Sequence, residues 1–244
     1  MLRLRTFGGL TLARGTEDLT GAVTQRRRLA LLALLAVAGS GGMSRDKLLA
    51  YLWPESDAER ARHVLNQLLY AQRRQVGGDA VGEELFLGRK TLRLNPAVMA
   101  TDVAAFEEAL AVDHPALAAE VYAGPFLDGF FVKEAPEFER WVDEQRERFA
   151  VRAGEAMTAA ARRADASGDA PGAVSWWRRA AATHAYDARL ALGLLQALVR
   201  AGDRPGALRE AARYEARLRQ ELGVAPDAEF QQAVTAIRAG APPT

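Results

Sequence analysis

The chain contains no cysteine. That excludes disulfides, thiolate metal sites and a cysteine nucleophile, and it suits a reducing cytosol. Long apolar runs are missing too. The longest, Leu29 to Ala38, spans ten residues. It is too short to cross a bilayer and reads as a buried helix. The N-terminus, Met1-Leu-Arg-Leu-Arg-Thr-Phe7, lacks an apolar core of signal-peptide length. The three histidines, His63, His114 and His184, lie far apart, and none pairs with a carboxylate at a metal-binding spacing. There is no phosphate-loop motif, no dinucleotide-binding glycine fingerprint and no Gly-x-Ser-x-Gly elbow. These absences argue against an enzyme, a cofactor, a metal or a membrane partner. The expectation is a soluble cytoplasmic protein.

What is present is ordinary globular material. Of 244 residues, 49% are apolar and 26% charged, enough to bury the cores of two small domains. The net charge of +1 hides an asymmetry. Residues 1–96 hold 15 Lys/Arg against 9 Asp/Glu, whereas residues 97–244 hold 17 against 22. A basic first part joined to an acidic second part points to an anionic partner for the first.

Period-two alternation opens the chain. Leu2, Leu4 and Thr6 alternate with Arg3 and Arg5, and Leu10 and Leu12 repeat the pattern after Gly8-Gly9, the signature of a half-buried hairpin. Leu19 to Val23 offers another strand. Helical spacing begins at Gln25, with Thr24 as N-cap and Leu29, Leu32, Leu35 and Ala36 on one face. Gly39-Ser-Gly-Gly42 ends that helix. Ser44 caps a short helix that Trp53-Pro54 closes, because proline disfavours helix in the residue before it. A third helix is expected from about Asp57 to Val76, buried along Leu65, Leu68, Leu69 and Val76 and stopped by Gly77-Gly78. Gln72 falls on its apolar side and is expected to be partly exposed at the core's edge. Leu85-Phe-Leu87 and Leu92-Arg-Leu94 then flank Gly88-Arg-Lys90, a hairpin with a basic tip, and Asn95-Pro96 ends the unit. Strands, three helices and a hairpin in this order make a winged helix-turn-helix.

No strand is expected from Thr101 onward. Thr101-Asp102 caps a helix containing Val103, Phe106 and Leu110. The segment Tyr122 to Phe130 reads as a loop with buried aromatics, and Pro136 opens a long helix reaching about Ala166. Then Gly168-Asp-Ala-Pro-Gly-Ala-Val174 returns as Gly202-Asp-Arg-Pro-Gly-Ala-Leu208, 34 residues later. That is the tetratricopeptide period, in which each unit is a helix, a turn and a helix. Trp176-Trp177 lies on a repeat helix as core. A last helix from about Asp227 to Arg238 supplies a neighbour for the stack. The fold expectation is mainly α: an N-terminal α+β winged helix-turn-helix over 1–96, then an all-α, TPR-like helical repeat domain over 97–244.

Projected at 100° per residue, the third helix sets Arg62, His63, Asn66, Gln67, Tyr70, Arg73 and Arg74 away from its leucine stripe. Such side chains can reach base edges and phosphates, and a major groove admits one helix. Arg26, Arg27 and Arg28 begin the first helix, where backbone N–H groups already favour anions. Arg89 and Lys90 crown the hairpin, and Arg45 and Lys47 are subsidiary cations. The partner expected is double-stranded DNA. The alternative is a TPR-like adaptor whose winged helix makes protein contacts.

Three stretches carry a resemblance: Gln25-Arg-Arg-Arg-Leu-Ala-Leu-Leu-Ala-Leu-Leu35, Ser44-Arg-Asp-Lys-Leu-Leu-Ala-Tyr-Leu-Trp53 and Ala61-Arg-His-Val-Leu-Asn-Gln-Leu-Leu-Tyr-Ala-Gln-Arg-Arg74. Together they resemble the OmpR-type winged helix of the Streptomyces antibiotic regulatory proteins (SARPs). The second part, including Leu218-Arg-Gln-Glu-Leu-Gly-Val-Ala-Pro226, resembles the bacterial transcriptional activator domain that follows it. The resemblance covers about residues 2–240. It implies promoter binding as homodimers on direct repeats and recruitment of RNA polymerase. Gln72 departs from the family's usual apolar residue.

Overall fold

A computed structural model describes residues 1–19, 26–81 and 84–240, with backbone alone over 75–81. It divides into two compact units, Met1–Phe149 and Ala150–Thr244.

The first unit opens with β1 (Leu2–Arg5), β2 (Thr11–Arg14) and β3 (Glu17–Asp18). Leu2 and Leu4 are buried and Arg3 and Arg5 exposed, as the alternation requires. The third described strand falls at Glu17–Asp18. Leu19 is buried outside any strand, and the remainder of the stretch Leu19 to Val23, with Thr24 and Gln25, lies outside the described residues. The chain continues through α1 (Arg26–Ala38), β4 (Met43–Ser44), α2 (Arg45–Leu52), α3 (Ala58–Val81), β5 (Phe86–Leu87), β6 (Thr91–Leu94) and β7 (Met99–Thr101). It then enters α4 (Asp102–Ala111), α5 (Pro115–Val121) and α6 (Pro136–Ser167).

Every residue of α1 from Arg28 to Ala36 is buried, the pattern of a helix enclosed on all sides. Ser44 caps α2 by accepting from the Lys47 N–H at 3.3 Å, and Trp53 closes it by donating to the Leu49 carbonyl at 2.8 Å. One expectation about α3 is corrected: the helix does not stop at Gly77-Gly78 but runs to Val81. Glycine costs a helix about 1 kcal/mol, but it ends one only where the backbone turns left-handed, and here the backbone stays helical through both. A second correction concerns Gln72, which is fully buried rather than at the edge.

Two small sheets frame these helices. One runs β4-β6-β5, antiparallel throughout; the other runs β3-β2-β1-β7. The second contains a strand that local patterning did not reveal, β7, which pairs parallel with β1 in the register Leu2↔Met99 and Leu4↔Thr101. Thr101 is its last residue and also the N-cap of α4, accepting from the Ala104 N–H at 3.1 Å. The next side chain, Asp102, reaches back to the end of β1. Its carboxylate accepts from the Thr6 hydroxyl and the Phe7 N–H, both at 2.8 Å, and from the Thr6 N–H. This junction explains why the compact unit runs past residue 96: the first strand finds its partner beyond that point. Behind it, Phe7 packs on Phe106, Tyr122, Phe126 and Phe149, ring centroids 5.1–6.4 Å apart. Arg146 fastens the aromatic loop by donating to the Phe126 and Leu127 carbonyls at 2.9 Å.

The second unit holds the remainder of α6 with α7 (Ala170–Thr183), α8 (Ala188–Arg200), α9 (Arg204–Arg217) and α10 (Ala228–Ala239). Its repeat is visible atom by atom. Asp169 and Asp203 cap α7 and α9, accepting from the Gly172 and Gly206 N–H groups at 3.0 and 2.8 Å. A proline occupies the first turn of each helix. A Cβ on either capping-turn glycine would lie 2.0 or 2.1 Å from the aspartate oxygen, so a side chain there would push the capping aspartate aside. Trp177 is core, and its indole N–H donates to Asp165, which also pairs with Arg200 at 2.7 Å. Asp227 caps α10 through the Phe230 N–H.

Candidate nucleic-acid interface

The leucine stripe fixes how α3 is turned. Ala61, Leu65, Leu68, Leu69 and Gln72 are buried, which leaves Arg62, His63, Asn66, Gln67, Tyr70 and Arg74 exposed on the opposite side. Tyr70 is 61% exposed, unusual for a large ring with no packing role. The Arg74 guanidinium lies 5.9 Å from its ring centroid and donates to its hydroxyl at 3.4 Å. Gln67 and His63 meet at 2.8 Å between their Nε2 atoms, one helical turn apart. Arg62 pairs loosely with Asp46 at 3.5 Å, both well exposed. Arg73 is half-buried, and its Nε has no hydrogen-bond partner among the described residues.

The hairpin stands beside this face. Gly88 has φ +87°, and a Cβ there would lie 2.1 Å from the Thr91 carbonyl oxygen, so only glycine makes this turn. Arg89 and Lys90 at the tip are exposed. One side chain links tip and helix. Arg45, the first residue of α2, donates from Nε to the Arg89 carbonyl and from Nη1 to Asn66 Oδ1, each at 2.8 Å. Its backbone N–H also donates to the Lys90 carbonyl at 3.2 Å.

The arginine run of α1 is placed differently from the polar face of α3. Arg28 is only 9% exposed. Arg27 donates to the Leu52 and Lys133 carbonyls at 3.0 Å and lies 3.9 Å from Glu134. Arg26 donates to the Phe131 carbonyl at 3.1 Å and stacks over the Phe131 ring at 4.4 Å. These side chains bind the start of α1 to the segment before α6. Sequence reasoning had no means of seeing that, because the acceptors at Phe131 and Lys133 are backbone carbonyls about a hundred residues away. It also undervalued Arg45, whose only local signal is its place directly after a capping serine. Among the described residues no group of three or more His, Asp or Glu is placed to hold a metal ion, and no helix is long and apolar enough to cross a membrane.

A three-helix unit with an exposed polar third helix and a β-hairpin beside it is the architecture of winged-helix transcription regulators. Comparison with known proteins makes this specific. The family model of the bacterial transcriptional activator domain matches residues 96–238. That is more than half of the chain, and the chain belongs to this family. No curated protein matches it. Among solved structures, Mycobacterium tuberculosis EmbR in complex with a low-affinity phosphopeptide is similar in fold, with a TM-score of 0.65 and 18% sequence identity. The match covers 99% of this chain and 66% of that one, so the chain spans just under two thirds of that structure's length. Winged helix followed by activator domain is the SARP arrangement, and the chain has it.

Proposed function

We propose that residues 1–96 bind double-stranded DNA in a sequence-specific manner, with α3 in the major groove. Residues 97–244 then act as the activator domain, joining two copies on direct repeats and contacting RNA polymerase. The observation that carries this reading is the exposed row Arg62, His63, Asn66, Gln67, Tyr70 and Arg74 beside the basic hairpin tip. Asn66 and Gln67 have the chemistry to read base edges. Arg62, Arg74, Arg89 and Lys90 have the charge and exposure to hold phosphates. Arg26, Arg27, Arg28 and Arg73, also expected from the sequence to touch DNA, enter with a smaller share because their guanidinium groups are engaged or covered. A cytoplasmic location follows from a chromosomal target.

Four phosphate contacts predict that log affinity falls with log salt at a slope of about −3.6. Duplexes selected from a random pool by the wild-type chain supply the operator, and titration from low to high salt supplies the slope. Alanine at Asn66 or Gln67 should cost about 1–3 kcal/mol on that operator with little effect on unrelated duplexes. A flat salt response, or selection that enriches no sequence, defeats the reading.

A further inference from the structure

Arg45 makes three hydrogen bonds within one small region. Two secure the hairpin tip, through the Arg89 and Lys90 carbonyls, and the third runs to the Asn66 side chain on α3. The residue is half-buried, and two of its side-chain nitrogens, Nε and Nη1, are taken up by protein acceptors. An arginine that holds a phosphate bidentately uses two N–H donors of its fork. This one has two of its donors committed to the two parts that would enter DNA.

The bond to Asn66 has a chemical consequence. With Oδ1 accepting from a guanidinium, the amide is held in one orientation and its Nδ2 donors are directed away from Arg45. A fixed donor pair matches base edges rich in acceptors, such as N7 and O6 of guanine, and opposes the N4 amino group of cytosine. The bond is charge-assisted and so among the stronger kinds.

We propose that Arg45 is a positioning residue that locks the hairpin tip to Asn66, so that phosphate holding by the tip and base reading by the helix share one register. The proposal rests on the DNA-binding reading above and extends it to a residue that touches no DNA itself. Arg45 acts on specificity, whereas a phosphate-binding arginine acts on affinity for every sequence alike.

Two variants separate these roles. Arg45→Ala removes the link. Arg45→Lys keeps the charge but lacks the fork that reaches two acceptors at once. Both should lose about tenfold in affinity for the selected operator, the scale of a lost charge-assisted hydrogen bond, and both should retain wild-type affinity for an unrelated duplex. The salt slope should stay unchanged in both. In the free protein, amide exchange at Arg89, Lys90 and Thr91 should quicken in Arg45→Ala, because the tip has lost its anchor. A slope shallower by about 0.9 in Arg45→Ala, restored in Arg45→Lys, overturns the proposal and makes Arg45 a phosphate contact. Wild-type protein that enriches no sequence overturns the DNA-binding reading and the proposal together. Enrichment by the wild type with no loss in either variant overturns the proposal alone.

Discussion

The two compact units fill their interiors differently. In the first, Phe7, Phe106, Phe126, Phe138 and Phe149 pack with Tyr122 and Trp141 into one aromatic cluster. In the second, alanines such as Ala161, Ala173, Ala197, Ala207 and Ala211 are interleaved with larger side chains such as Trp177, Leu192, Leu195, Leu198, Tyr214 and Phe230. The difference follows from what each core must join. A strand end, an irregular loop and helices leave gaps of uneven size, which large rings can fill. Successive helix pairs come closest where the gap takes a small side chain, as at Ala173 and Ala207, and fill the wider gaps between with larger ones. The first unit therefore has single rings that hold many contacts at once. The second adds positions where a small side chain cannot be enlarged.

The largest expected effect tests one such ring. Phe126 is completely buried, touches Phe7, Trp141 and Phe149, and forms the bridge to Phe7. Phe126→Ala should destabilise the first unit by about 3–5 kcal/mol, read from the urea midpoint. A cost below 1 kcal/mol would show that the cluster is loosely packed and break the comparison. The second unit should fail in the opposite direction. Ala207, fully buried on α9, has no room to grow, so Ala207→Leu should cost about 1–3 kcal/mol through overpacking. A stabilised variant would reveal slack between the helices. The smallest effect sharpens the repeat itself. Asp169→Ala and Asp203→Ala should each cost about 1 kcal/mol, measured by thermal unfolding. Near-equal values would establish that the two copies are equivalent in energy as well as in geometry.

What the sequence made legible was local chemistry. Ser44, Thr101, Asp169, Asp203 and Asp227 each cap the helix that follows them, because a side-chain oxygen before a free N–H acts within three residues. The same applies to Gly88, whose turn is closed by its neighbours. The polar side of α3 was legible because its leucines leave only one way for the helix to face. What stayed hidden was chemistry at a distance. The pairing of β7 with β1 and the reach of Asp102 to Thr6 join residues 97 and 96 positions apart, and neither has a local pattern. The arginines at the start of α1 looked available to an anion because their carbonyl partners come from 131 and 133. Gly77-Gly78 misled for a related reason: local propensity gave way to a helix that continues through both.

Gln72 lies beneath the exposed row of α3, fully buried, and neither atom of its amide has a hydrogen-bond partner among the described residues. An unmet amide of this kind ordinarily counts as a defect. For the history of such a chain it is also an opening. A hydroxyl or amide arising by mutation on an adjacent core side chain is normally penalised for losing water. Here it would meet a donor and an acceptor already in place. The seat of the helix that faces outward can therefore accept polar substitutions that an all-leucine seat would reject.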